Sequence, residues 1–267
     1  MLRFSQILMC LIGLGGFGFF QSAMAAEGSI SAADLAGRLA SALEDGDSAT
    51  RLKMKIEPSG GGKKVVMQVQ VKARRNKGYT QVVYQVLWPK SRKGEAFVIE
   101  KKKGGSVKGY AYVPPKSMTP LGKAKMKEAL LGSDLAYQDV IDNFFRWQQQ
   151  SLVGNEKVER AECVILESKP GSGDSTIYGK VKTWVDTRRM VAMRVEKYDT
   201  AGKLLRKIET TRVAKDDNKR YVPASMKVIR VGGGSETEIE GSSIRHDVKF
   251  TDKDFTTEAL NDFRVPR

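Results

Sequence analysis

The chain has 267 residues, 46 Lys and Arg against 31 Asp and Glu, a formal net charge of +15, one histidine and two cysteines. One His and so few Cys exclude a zinc tetrad and a disulfide scaffold, and a Ser-His-Asp set has only one imidazole to draw on. The length suffices for one large all-β or mixed domain or two smaller ones, and the basic balance favours anionic partners such as phospholipid head groups, lipopolysaccharide or an acidic protein surface.

The first 25 residues have a basic start, a short apolar run from Ile7 to Phe20 and an Ala23-Met24-Ala25 exit, the three parts of a secretory signal. Cleavage before Ala26 discards Cys10 and leaves residues 26–267 as a secreted chain whose only cysteine is Cys163. Ser31 with Asp34 is a capping start, and Leu35, Leu39 and Leu43 form one apolar stripe of a helix ending near Gly46.

The period then changes to two. Leu52, Met54 and Ile56 alternate with Lys and Glu, Pro58 to Gly62 turns, and Met67, Val69 and Val71 alternate with Gln and Lys, which predicts a hairpin with one dry face. Residues 78–89 are apolar on both faces around Val82 to Trp88, so this strand is expected centrally in the sheet. Strands over 95–101 and 107–113 follow. From Pro114 to Leu131 prolines, a glycine and a basic patch break the pattern, which predicts a crossing segment or lid.

With Ser133 or Asp134 as helix cap, Tyr137, Val140, Ile141 and Phe144 fall at helical spacing on one face and predict a second helix. Strands are then predicted over 147–158, 163–168, 178–185, 190–198, 204–213, 221–231 and 236–250, with turns at Asp186, Gly202, Asp217 and Gly233, and a short helix over 256–261. A meander of about ten strands has to curl to hide its apolar face and its edges. The expected fold is α+β, a curved antiparallel half-barrel with helices closing its concave face.

The candidate chemistry is thin. His246, between Arg245 and Asp247, reads as a surface or paired residue; the segment Lys215 to Arg220 reads as a turn rather than a calcium loop; Cys163, beside Glu162, reads as a buried strand residue. A hydrolase built on Ser133 and Asp134 lacks a base. What remains is apolar: Val82, Tyr84, Val86, Trp88, Phe97, Ile99, Tyr137, Ile141, Phe144, Trp147 and Trp184 fill either an ordinary core or the wall of a cavity for an apolar ligand.

The stretches "GSDLAYQDV", "KVKTWVDTRRMVAMRVEKYDTAGKLLRKIE", "YVPASMKVIR" and "DVKFTDKDFTTEAL" together resemble the LolA-like outer-membrane lipoprotein-sorting family of periplasmic proteins, most strongly over residues 130–260. The resemblance implies a LolA/LolB-like half-barrel, a cleaved signal peptide, no enzymatic activity, no cofactor and no metal. The function it implies is binding of lipid or lipoprotein acyl chains in an apolar cavity for transfer between membranes. The partners it implies are those acyl chains, an inner- or outer-membrane transport partner such as an RND-type exporter, and an anionic membrane surface, with no nucleic acid and a monomeric state. The alternative is a binding or sensing module on the same fold that docks to a membrane-protein partner and transfers nothing.

Overall fold

A computed structural model describes residues 30–265 apart from 103, 105, 106, 116 and 243. The expected signal segment, with Cys10, lies outside the described residues. Among the described residues, no helix is long and apolar enough to cross a membrane.

The one α-helix among them, α1 (Ala32–Leu43), starts where the capping pattern places it, since the backbone N–H of Asp34 donates to Ser31 Oγ at 3.1 Å. Its stripe buries Leu35, Ala36, Leu39 and Ala40, while Leu43 stays exposed. Thirteen antiparallel strands follow: β1 (Gly46–Pro58), β2 (Val65–Asn76), β3 (Tyr79–Trp88), β4 (Ala96–Lys102), β5 (Val107–Val113), β6 (Ser117–Pro120), β7 (Gln149–Val158), β8 (Ala161–Lys169), β9 (Lys180–Asp186), β10 (Val191–Tyr198), β11 (Leu204–Lys215), β12 (Tyr221–Arg230) and β13 (Ser235–Gly241). They form one open sheet ordered β6-β5-β4-β3-β2-β1-β13-β12-β11-β10-β9-β8-β7.

The order explains the crossing segment. Pairing of β1 with β13 joins two meanders, so β6 and β7 are neighbours in sequence yet opposite edges of the sheet. The chain between them has to traverse one whole face. We call that face inner. It carries Met54 and Ile56 of β1, Met67, Val69 and Val71 of β2, Val82, Tyr84 and Val86 of β3, and Phe97 and Ile99 of β4, packed with Leu121, Met126, Leu130, Leu131, Tyr137 and Ile141 of the crossing segment.

The outer face of β2 to β4 is covered as well. Val248, Phe250, Phe255 and Leu260 pack against Ala49, Val83, Ala96 and Val98. Side chains of the sheet hold this tail by its carbonyls: Gln85 Nε2 donates to Leu260 O at 3.0 Å, Gln70 Nε2 to Phe263 O at 2.8 Å and Lys72 Nζ to Asp262 O at 2.8 Å. Burial from both sides is why β3 is apolar on both faces.

Four expectations change. The sheet has thirteen strands rather than about ten, β6 being a four-residue edge strand hidden among prolines. The last strand ends at Gly241 rather than near Phe250, because the chain leaves the ladder to cover the outer face. The predicted middle helix is a run of 3-10 turns at Lys123–Lys127, Leu130–Gly132, Tyr137–Val140 and Phe144–Arg146, and the terminal helix is two further such turns, at Asp252–Phe255 and Glu258–Asn261. Leu131 at φ 50° and Gly132 at φ 79° break any helix there, and the apolar spacing of three that suggested an α-helix also fits turns of three residues. The inner face is therefore covered by extended chain and tight turns, not by a helix.

Candidate functional site

A cavity of about 500 Å³ opens on the inner face beside the part that the crossing segment covers. Its walls are Leu52 of β1, Val71 and Ala73 of β2, Tyr84 of β3, Ala214 of β11, Val222, Ala224 and Met226 of β12 and Ile239 of β13, with Leu43 at the end of α1 and Ile244 beyond β13. β3 and β11 lie five places apart in the sheet yet line one space, so the sheet curls around it. Alternation puts these residues on one face of each strand, and register keeps them level: Thr50 faces Val71, which faces Tyr84. At β11 the register slips on both sides of Arg212, a bulged geometry that bends the β11–β12 hairpin where it borders the cavity.

Of the predicted set, Tyr84 lines this cavity, and Ile141 and Trp147 line a separate space of about 90 Å³ under residues 76–80. Val82, Val86, Phe97, Ile99 and Tyr137 are packed core of the inner face. Phe144 is buried against Phe145 and Trp147, with Lys197 Nζ 5.4 Å from its ring centre. Trp88 is 50 % exposed at the end of β3, and Trp184 belongs to another cluster with Cys163, Val191 and Met193, its indole N–H donating to Glu156 at 2.7 Å. Most of the cavity wall escaped the sequence reading because it is made of small and medium residues from β1 and β11 to β13. Large aromatics fill space; a cavity is where they are missing.

Ser133 and Asp134 do not cap a helix. Ser133 Oγ donates to Leu130 O at 2.7 Å and accepts from Leu135 N. Asp134 is buried and accepts from Ser235 Oγ at 2.6 Å and Thr237 Oγ1 at 2.7 Å, while Arg206 Nε donates to its carbonyl at 2.8 Å. Asp134 therefore ties the crossing segment to β13 and β11. A second tie lies five residues on, where Asp139 accepts from Lys197 Nζ at 2.7 Å and Tyr178 OH at 2.6 Å, with Arg206 Nε at 3.4 Å. Burial pushes the Asp139 carboxyl up, but the Lys197 and Arg206 charges outweigh it and hold the group below the usual carboxylate range. The Tyr178 phenol is pushed well up by burial and then by the Asp139 charge, so it remains a donor. A third tie joins Asp142 to Lys101 and to Thr176 Oγ1.

His246 sits between two carboxylates from separate segments. Its Nδ1 is 2.5 Å from Asp217 Oδ1, its Nε2 is 2.7 Å from Asp45 Oδ2, and Arg220 bonds both Asp45 at 2.9 Å and Asp216. Asp45 follows α1 and Asp217 sits in the β11–β12 turn, so the ring clasps two cavity-bordering segments to the chain beyond β13. Asp216, Asp217 and His246 offer ligand atoms within 4.8 Å of one another, but Arg220 and the ring hydrogen bonds already engage them. Burial alone lowers the His246 pKa; the hydrogen bond with Asp217 and the charge of Asp45 outweigh it, and the net shift is upward.

A raised folded pKa means the clasp contributes fully below the ordinary histidine value and is lost as pH rises through the folded one. The stability difference between wild type and His246→Gln is expected to shrink from about pH 6 to about pH 9. Urea titrations at both pH values check it; a constant difference would show that the ring acts only by packing.

A family model described as "Uncharacterized protein" matches residues 78–262. No curated protein matches the chain. Among solved structures, a DUF1329 family protein from Desulfovibrio piger aligns at 24 % identity with TM-score 0.78, covering 86 % of this chain and 97 % of that one. A Vibrio parahaemolyticus domain assigned to the outer membrane lipoprotein-sorting proteins aligns at 20 % identity with TM-score 0.77, covering 86 % and 98 %. A LolA superfamily protein from Nitrosomonas europaea aligns at 18 % identity with TM-score 0.69, covering 86 % and 100 %. At these identities the likeness is one of fold.

Proposed function

The chain belongs to the family whose model matches residues 78–262 and shares its fold with a DUF1329 family protein and a LolA superfamily protein, and from that premise we propose that it is a periplasmic carrier that shelters the acyl chains of a lipid or lipoprotein during transfer between membranes. The observation that carries this reading is the cavity of about 500 Å³ with its aliphatic wall. Its size falls in the range of ligand sites, roughly 300–1,000 Å³. Each CH₂ hidden there is worth about 0.8 kcal/mol, which is what an acyl chain needs to cross an aqueous space. Residues 1–25 act as a cleaved signal and residues 26–267 as one carrier domain. Binding needs no side-chain chemistry, in keeping with a serine and aspartates that are spent on tying down the crossing segment.

Native mass spectrometry of protein purified from the periplasm is expected to show bound lipid, and the polypeptide mass is expected to correspond to a start at Ala26. A uniformly ligand-free protein that also fails to bind fluorescent fatty acid would overturn the reading. Ala214→Trp places a bulky side chain in the cavity wall away from the packed core. It is expected to weaken fluorescent fatty acid binding about tenfold or more with the unfolding midpoint little changed. Unaltered binding would move the ligand elsewhere.

A further inference from the structure

The cavity wall is mostly apolar, with the hydroxyls of Ser48, Thr50 and Ser242 on it, and its charges are of one sign. Arg75 of β2 and Arg212 and Lys215 of β11 line it, and no carboxylate does. Several half-buried cations elsewhere are spent on carboxylates: Arg74 on Asp47, Arg92 on Glu95, Arg146 on Glu44, and Arg220 on Asp45 and Asp216. Among the described residues no carboxylate lies within 4.0 Å of Arg75, Arg212 or Lys215. Arg212 Nε donates to Ser225 Oγ at 3.2 Å, and Lys215 Nζ lies 5.0 Å from the Tyr221 ring centre.

Arg75 is the sharpest of the three. Register places it on the inner face in line with Val71 and Ala73, and it is half-buried. Among the described residues its one side-chain hydrogen bond is a 3.5 Å contact from Nη2 to Val140 O in the crossing segment. A guanidinium carries five N–H donors, so four remain for a ligand. Glu44 and Asp142 line the small space on its other side, but both are engaged: Glu44 by Arg146 and Asn143, and Asp142 by Lys101, Gln138 and Thr176. A half-buried guanidinium with spare donors on an apolar wall is an anion seat.

We propose that the ligand of this cavity is an anionic amphiphile, an acyl chain ending in a carboxylate or phosphate, with Arg75 as the principal contact to the head and Arg212 and Lys215 at the rim adding attraction. This deepens the carrier reading and rests on it: the wall takes the chain, and the arginine selects the charge. A neutral or cationic head of the same chain length leaves Arg75 unpaired or opposed.

Displacement of the neutral probe N-phenyl-1-naphthylamine from the full-length mature protein by dodecanoic acid, dodecyl phosphate, dodecanol and dodecylamine tests it, with inorganic phosphate as a chain-free control. The two anions are expected to bind at least tenfold more tightly than the alcohol, the amine most weakly, and phosphate alone not to displace the probe. Arg75→Gln is expected to abolish the gap between acid and alcohol, with the loss falling mainly on the acid. A combined Arg212→Gln and Lys215→Gln variant is expected to narrow the gap and reduce its salt dependence. Equal affinity for acid and alcohol in the wild type overturns the anionic class and leaves the carrier reading standing. Loss of both ligands together in Arg75→Gln, with its unfolding midpoint unchanged, overturns the head-group role. Failure of every twelve-carbon compound to displace the probe removes the carrier reading and this proposal with it.

Discussion

Replacing Asp139 by alanine is expected to destabilise the protein by about 3–5 kcal/mol, because it leaves Lys197 and Arg206 buried without a counter-charge. The aspartate side chain is 2 % exposed, and it also accepts from Tyr178 OH and from Ala136 N, closing the turn that carries Tyr137 onto the inner face. The contacts with Lys197, Arg206 and Tyr178 join the crossing segment to β10, β11 and the chain before β9, and the bond from Ala136 N alone is local. The loss is thus mainly one of tertiary attachment. Urea unfolding of the variant measures it, and a change under about 1 kcal/mol would mean that water reaches the two cations.

The same group sets an acid limit. Its folded pKa is depressed, so its contribution is complete above the ordinary carboxylate range near pH 4 and is lost as pH falls through the folded value. The variant is accordingly expected to lose less stability than the wild type on acidification.

Phe97→Ala is the second large effect, expected at about 3–5 kcal/mol. The ring is fully buried, stacked on Tyr84 at 4.7 Å and met edge-on by Tyr137 at 5.1 Å. It links β3, which reaches the cavity, to the crossing segment, so the void loosens both. Phe97→Leu keeps most of the volume and is expected to cost less than about 2 kcal/mol. Denaturation gives the energies; hydrogen exchange over residues 130–141 gives the site. Faster exchange there in the alanine variant supports the link, and unchanged exchange would place the role of Phe97 wholly within the sheet.

Both residues show where sequence reasoning held and where it stopped. Phe97 was identifiable as a core residue because an unbroken apolar run is a local signal, but Ala96 to Ile99 are buried on both faces of the sheet and the run does not say which face Phe97 takes. Asp139 was visible only as part of a polar cluster. Its partners Tyr178, Lys197 and Arg206 lie 39 to 67 positions along the chain, and nothing local marks them as buried together. The cavity was harder still. Large residues announce a core, whereas Ala73, Ala214, Ala224 and Gly241 are inconspicuous one by one and leave space only when curvature brings β3 and β11 around them.

The sequence by itself determined the front helix with its Ser31 cap, the period-two strands, the turn at Gly202 with its φ of 82° and the break in the strand pattern after Pro114. Each of these depends on propensity, periodicity or turn chemistry within a few residues. Only the tertiary structure decided that β1 closes on β13, that the crossing segment is held by buried aspartates rather than coiled into a helix, and that the cavity lies beside the aromatic core with Arg75 on its wall. Those outcomes depend on which distant side chains meet, and pairings across a hundred residues or more, as between Asp134 and Thr237, leave no periodic trace in the chain.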